Sequence, residues 1–99
     1  MSDDEFAGFA PPPFKAAEAL AQIKRSLRDL RLAERGKAFD LRGKPVLELA
    51  LDGPQINVRI ARKLVLTPEW DRQVVSDSIS QRKLIDDIRR RLERWQRED

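Results

Sequence analysis

Two runs of alternating apolar residues, separated by a turn sequence, constrain the fold of this chain more than any other feature. The runs cover residues 46–51 and 56–61, and Asp-Gly-Pro-Gln stands between them at 52–55. Alternation with a period of two puts every second side chain on the same face of a strand, and these turn residues favour a tight reversal. The sequence therefore predicts a β-hairpin with one apolar face. The residues expected on that face are Leu47, Leu49, Leu51, Ile56, Val58 and Ile60.

A single register satisfies both faces of this hairpin. Placing Leu49 opposite Val58 also puts Glu48 opposite Arg59, so that an acid meets a base on the outer face. A slip of one residue would turn the whole apolar set to solvent. We therefore predict the core-facing pairs Leu47 with Ile60, Leu49 with Val58 and Leu51 with Ile56.

A shorter apolar run predicts a further strand at 38–41, before the hairpin. A three-residue loop after it would place Phe39 opposite Leu47. The same loop would place Leu41 opposite Pro45, and both pairs keep core residues on one face, whereas a two-residue loop would mix core and solvent residues. Because Pro45 has no amide hydrogen, we expect it at the start of its strand or in a bulge.

Helical periodicity predicts a helix on each side of these strands. The first runs from Phe14 toward Gly36, which is expected to end it in the left-handed conformation. A capping box formed by Ser78 and Gln81 is expected to begin the second. The apolar stripes are Ala16, Leu20, Ile23, Leu27 and Leu30 in the first helix, and Leu84, Ile85, Ile88, Leu92 and Trp95 in the second.

The predicted fold is a two-layer α+β domain: a helix, a three-stranded antiparallel meander and a C-terminal helix, with both helices on one sheet face. Thr67-Pro68-Glu69 is typical of a helix start, so a short extra helical turn is expected within 67–76. A chain of 99 residues fits a single core, which we place at 14–97. Residues 1–13 carry three acids, no base and three consecutive prolines, which predicts a disordered tail.

The composition removes most catalytic chemistry. The chain has no cysteine, histidine or tyrosine, and hence no thiolate, disulfide or imidazole base. Ser80 and Lys83 have the serine-x-x-lysine spacing of some acyl-transfer enzymes, but serine at a helix start is an ordinary capping residue. The adjacent Asp86 and Asp87 diverge by about 100° around a helix, which does not suit one metal ion. We therefore predict no enzymatic activity, no cofactor and no metal site.

The N-terminal sequence bears on location. Met-Ser-Asp-Asp-Glu is acidic where a secretory signal would be basic, and no apolar run reaches the length of a membrane span. We expect a cytoplasmic protein that does not bind a membrane.

Binding remains as the expected role, and a protein partner or a second copy of this chain is the first candidate. A small open sheet leaves one face and two edges available, so a homodimer is an expected alternative to a monomer. Large aromatic side chains contribute strongly at interfaces. The candidate contact residues are Trp70, Trp95, Phe6 and Phe9.

Binding of RNA or DNA is the alternative. It ranks second because the formal net charge of +3 is small, and because no aromatic side chain is expected on the outer face of the sheet for base stacking. The candidate polyanion-binding residues lie on the first helix and around the sheet: Lys24, Arg25, Arg28, Arg31, Arg42, Lys44, Arg59, Arg62 and Lys63.

Deletion of residues 1–12 tests the interpretation of the tail. We expect the free energy of unfolding to change by less than about 1 kcal/mol, because this segment offers no regular backbone hydrogen bonding. Denaturant unfolding of the full and shortened chains measures the difference. A large loss of stability would show instead that Phe6 or Phe9 packs in the core.

Overall fold

In the computed structural model, which describes residues 13–98, two helices cover one face of a five-stranded antiparallel sheet. The strands follow one another across the sheet in chain order. The elements are α1 (Ala16–Asp29), β1 (Ala33–Arg35), β2 (Ala38–Leu41), β3 (Lys44–Asp52), β4 (Gln55–Ala61), β5 (Trp70–Val75) and α2 (Ser78–Arg97). The α+β class is confirmed, and the expected count of three strands is wrong. The predicted N-terminal tail, with Phe6 and Phe9, lies outside the described residues.

The central hairpin of β3 and β4 has the predicted register. Leu47 lies opposite Ile60, Leu49 opposite Val58 and Leu51 opposite Ile56. On the other face Glu48 lies opposite Arg59, and a guanidinium nitrogen of Arg59 is 3.0 Å from the carboxylate. The agreement of the two faces, which is visible in the sequence, is therefore what sets the strand alignment.

The loop between β2 and β3 has two residues rather than the expected three. Arg42 and Gly43 have positive φ angles of 54° and 77°, the combination that a type I′ hairpin turn requires. Leu41 consequently lies opposite Lys44. The predicted pairing of Leu41 with Pro45 is wrong.

A β-bulge in β3 corrects the parity that this short turn would otherwise break. Asp40 lies opposite Pro45 and Phe39 opposite Leu47, which leaves Val46 as an extra residue on one strand. Val46, Leu47 and Phe39 are all completely buried. The predicted pair of Phe39 with Leu47 is thus confirmed, and the expected bulge near Pro45 supplies the residue that the loop lacks.

Residues 33–35, expected within the first helix, form the edge strand β1. All three side chains are exposed, so no apolar alternation marks this strand in the sequence. Gly36 does not end a helix. Its φ of 60° instead opens the two-residue turn that joins β1 to β2.

Helix α1 ends at Asp29 because a left-handed residue follows shortly after it. Arg31 has a φ of 68°, and its N–H donates to the carbonyl of Arg28 at 2.9 Å. The N–H of Leu32 donates to the carbonyl of Leu27 at 3.1 Å. This pair of bonds is the Schellman motif that closes helix C-termini, here with arginine where glycine is usual.

Residues 70–75 form strand β5, and the expected helical turn at 67–76 is wrong. Strand β5 pairs with β4 along its whole length. Two of its helix-facing residues, Asp71 and Gln73, are polar because they contact polar groups on α2 rather than apolar ones. The alternation that marks β3 and β4 is therefore missing here. Thr67-Pro68-Glu69 belongs to the β4–β5 loop, residues 62–69, which connects the two strands.

Helix α2 begins one residue earlier than expected, with Asp77 as its N-cap. The Asp77 carboxylate accepts from the N–H of Ser80 at 2.7 Å, and the Ser80 hydroxyl accepts from the N–H of Asp77 at 3.1 Å. These reciprocal bonds make a capping box. Backbone hydrogen bonding from Ser80 lowers the pKa of Asp77 below its usual value.

The core lies between the sheet and both helices. The buried side chains of α2 are Leu84, Ile88, Leu92 and Trp95, as its apolar stripe predicts. Helix α1 contributes Ala16, Ala19, Ile23 and Leu27. The sheet face away from the helices stays uncovered within the described part of the chain. Within that part no helix has the length and apolarity needed to cross a membrane.

Replacement of Arg31 by glycine should stabilise the protein. A left-handed residue with a side chain costs about 1–2 kcal/mol, and glycine removes this cost while losing more backbone entropy. We expect a net gain of about 0.5 kcal/mol or more in the free energy of unfolding.

Arg31→Ala is the matched control, because it removes the same charge and keeps the strained backbone. Chemical unfolding compares the three proteins. Equal stability of the glycine and alanine variants would contradict the proposed strain.

Candidate functional site

An open cleft of about 620 Å³ lies where α2 passes β5 and the start of the β4–β5 loop. Five cations line it: Arg62, Lys63, Arg90, Arg91 and Arg94. Three acids line it as well: Asp71, Asp87 and Glu98. We call this the basic cleft.

Arg91 connects the elements that form the cleft. One terminal nitrogen of its guanidinium lies 2.9 Å from Asp71 on β5 and 3.2 Å from the carbonyl of Ala61 at the end of β4. The Nε atom lies 3.2 Å from the Asp87 carboxylate, one turn earlier on α2. The side chain is only 15% exposed. Arg91 therefore has a fixed position and acts mainly in the structure of the cleft.

Arg94 and Arg62 hold the β4–β5 loop against the end of α2. Arg94 donates to the carbonyl of Arg62 at 2.8 Å, and Arg62 donates to Asp71 at 2.8 Å. Glu98 accepts from the N–H of Leu64 at 3.1 Å. These bonds orient the side chains of the loop and the helix relative to each other before any ligand is present.

All three acids of the cleft are already bound to donors. Asp71 accepts from Arg62 and Arg91, and its hydrogen bond from Arg62, followed by that from Arg91, lowers the pKa of its carboxyl below the usual value. Asp87 accepts from Gln73 at 2.7 Å as well as from Arg91. The acids are thus already hydrogen-bonded within the protein, while the cations outnumber them by five to three.

A basic row extends the cleft along α2. Its members recur at spacings of seven, four and three residues, which keeps them on one side of a helix. The row covers about 21 Å at 1.5 Å per residue. It consists of Lys83, Arg90, Arg94 and Arg97.

The charge of the described residues is larger than the charge of the whole chain suggests. All 20 Lys and Arg lie within 13–98 together with 13 of the 17 acids, a net of +7 compared with +3 overall. The remaining four acids lie at the two ends of the sequence. The small overall charge therefore understates the field around the sheet and helices.

The uncovered sheet face carries an aromatic side chain, against expectation. Trp70 lies opposite Ala61 on this face because β5 is a strand. The Arg59 guanidinium lies over its ring, 4.9 Å from the ring centroid, and also contacts Glu48. Arg72 lies opposite Arg59 in the next strand. The premise that this face lacks aromatic side chains is wrong.

The predicted interaction residues occupy very different places. Trp95 is completely buried in the core, and its indole N–H has no hydrogen-bond partner within the range that the structure covers. Trp70 is partly buried and lies on the uncovered face.

The predicted polyanion-binding residues do not form one patch. Lys24 and Arg28 lie 3.5 and 3.0 Å from Glu34 of β1, which offsets part of their charge. Arg25 and Arg31 are exposed on and after α1. Those around the sheet divide among three places: Arg42 and Lys44 at the β2–β3 turn, Arg59 on the uncovered face, and Arg62 and Lys63 in the basic cleft.

The candidate residues predicted from the sequence do not include the cations that α2 supplies to the cleft. These cations stand among acids on the same helix, and the signal that distinguishes them is their spacing. The recurrence of bases at 83, 90, 94 and 97 was available in the sequence. Asp87 and Arg91, four residues apart on α2, form an ion pair at 3.2 Å.

Comparison of the chain with protein-family models, with curated proteins and with solved structures found no match. Among the residues that the structure describes, no group of three or more acids has the arrangement needed to hold a metal ion.

The pKa of Asp71 predicts how stability depends on pH. Because its folded-state pKa is lowered, the carboxylate contributes stability above the unfolded-state pKa near about 4 and loses that contribution as the pH falls through the folded-state value. We expect Asp71→Asn to be less stable than the wild type at neutral pH, and the gap to narrow below about pH 4.

Urea unfolding across this pH range measures the gap, with Asp86→Asn as the control. Asp86 is an exposed carboxylate of α2 that forms no ion pair among residues 13–98. A gap for Asp71→Asn that stays constant down to the lowest pH would contradict the assignment.

Proposed function

We propose that this protein acts by binding and that its basic cleft holds the phosphate backbone of a nucleic acid. One observation carries the proposal: five cations line the cleft against three acids, and each of those acids already accepts hydrogen bonds from the protein. The excess positive charge is therefore available to an external anion.

Arginine suits this task because its planar guanidinium presents several donors to a phosphate at once. Arg62 and Arg94 are oriented by bonds to Asp71 and to the Arg62 carbonyl, so less side-chain entropy is lost when a ligand binds. The basic row adds charge along one direction. Its length of about 21 Å lets it follow several successive phosphates of a strand.

The contacts of the residues once considered for catalysis support a binding role. The Ser80 hydroxyl accepts from the N–H of Asp77 and donates to the Asp77 carbonyl at 3.1 Å, so it is committed to the capping box. Cytoplasmic location stays a prediction from the sequence.

A protein partner or a second copy of this chain is the second candidate. Two exposed apolar residues in the middle of the β4–β5 loop, Val65 and Leu66, favour this second candidate, since Leu66 is 73% exposed. The outer edges of β1 and β5 also have no neighbouring strand in the described sheet. Solution mass without nucleic acid measures this association directly.

Charge reversal of exposed cleft residues tests the proposed function. In Lys63→Glu/Arg90→Glu, we expect affinity for oligonucleotides to fall at least tenfold at about 0.1 M salt, where the Debye length is about 10 Å. For the wild type, we expect log K to fall with log salt at a slope of about −3 to −5, as four to six phosphate contacts would give. Fluorescence anisotropy at several salt concentrations measures both quantities.

Arg25→Glu/Lys37→Glu is the matched control, because it changes the net charge equally on α1 and on the β1–β2 turn. We expect it to cost less than about threefold, since distant charges are screened at about one Debye length. Equal losses of affinity in the two double variants would show that binding depends on the net charge of the protein and not on the basic cleft. No salt-dependent binding by the wild type would refute the proposal.

A further inference from the structure

We infer that the nucleic acid is single-stranded and that one of its bases stacks on the uncovered sheet face while its backbone enters the basic cleft. This inference rests on the proposed function and adds a second contact, made by Arg59 and Trp70 on the opposite side of β5.

The two contacts are adjacent in the fold. Trp70 lies opposite Ala61, the last residue of β4, and Arg62 follows directly in the chain. The N–H of Arg62 donates to the carbonyl of Glu69 at 3.0 Å, which keeps the chains together at this point. The Arg62 side chain then reaches Asp71 on the helix-facing side. The stacked pair and the cleft therefore share one end of the β4–β5 hairpin, on its two faces.

The Arg59 guanidinium lies over the Trp70 ring, and a base can stack beside this pair. The guanidinium lies 4.9 Å from the indole centroid, and the Glu48 carboxylate, 3.0 Å from one of its terminal nitrogens, restrains it. The Arg59 side chain is 45% exposed. Unpaired bases stack on guanidinium planes as well as on aromatic rings.

Neighbouring charges favour an anionic ligand on this face. Arg72 lies opposite Arg59 and forms no ion pair within residues 13–98. Arg35, in the same cross-strand row, binds Asp40 through two nitrogens at 2.8 and 3.1 Å, which neutralises that acid. The acids of the uncovered face that contact the row are thus paired, as are those in the cleft.

The position of β5 selects a flexible strand over a duplex. It is the last strand of the sheet, so no further strand of the described chain separates the stacked pair from the cleft. A ligand that touches both must turn around this edge within the width of about one strand, roughly 5 Å. Duplex DNA is stiff over about 150 base pairs, whereas a single strand bends freely and exposes its bases.

Binding of an oligothymidylate of about 16 nucleotides, compared with a duplex of equal length, tests the inference. We expect at least tenfold tighter binding of the single strand, together with quenching of tryptophan fluorescence. Trp70→Ala should weaken single-strand binding about fivefold or more and abolish the quenching, because Trp95 is buried. Trp70→Phe should retain most of the affinity.

Arg59→Lys separates stacking from charge. It keeps the positive charge and removes the planar group, so we expect the single-strand affinity to fall about threefold or more while duplex affinity stays unchanged. Thermal unfolding of each variant verifies that the fold is intact.

The outcomes for the two proposals are distinct. If Lys63→Glu/Arg90→Glu loses binding but Trp70→Ala and Arg59→Lys bind single strands like the wild type, the cleft stands and the stacking contact is refuted. Equal affinity for duplex and single strand refutes it as well. If the cleft variant also binds like the wild type, the proposed function fails too. Binding to anionic phosphatidylserine vesicles without binding to oligonucleotides would overturn both.

Discussion

The guanidinium of Arg91 is the contact on which the arrangement around the last strand depends. It joins α2 to the end of β4 and to the helix-facing side of β5, where Asp71 and Gln73 make polar contacts with the helix. Elsewhere the sheet is held to the helices by buried aliphatic side chains, which need no directional bonds. At Asp71 and Gln73 of β5 the attachment is polar, so it has a specific geometry and holds its neighbours at defined positions. The same interaction that completes the fold thus builds the basic cleft.

This arrangement explains why acids occur in a site proposed to bind an anion. Asp71 and Asp87 lower the net charge of the cleft, yet without them Arg91 would be a largely buried cation with no carboxylate beside it, which is costly. The acids therefore position the cations, and the cations in excess remain for a ligand. A cleft lined by cations alone would carry more positive charge, but its side chains would lack the ion pairs that fix their positions.

The parts of the fold that the sequence predicts are those with an apolar periodicity. The β3–β4 register and the stripe of α2 follow from alternation and from helical spacing, and both agree with the structure. Strand β1 has three exposed residues, and β5 turns Asp71 and Gln73 toward α2, so neither carries the pattern. Arg31 ended α1 early through a left-handed conformation that its residue type does not suggest.

The candidate site was harder to predict for the same reason. Its residues come from the β4–β5 loop, from β5 and from α2, and only the fold brings them together. Arg62 and Lys63 were recognised as exposed bases, whereas Arg90 and Arg94 were hidden by the acids that share their helix. Trp70 lies on the uncovered sheet face because residues 70–75 form a strand, whereas a helical turn was expected there.

The strict chain order of the five strands has a consequence for how this protein folds. Every strand pairs with its neighbour in the sequence, so each hairpin closes a short loop and adds to the one before it at little entropic cost. Long-range contacts are made by both helices, as in the hydrogen bond of 3.0 Å between Gln22 and Gln81 and that of 2.8 Å from Arg94 to the carbonyl of Arg62. Topologies dominated by local contacts fold rapidly. The sheet is thus able to assemble outward from the β3–β4 hairpin, with the docking of α1 against α2 as the step that closes the domain.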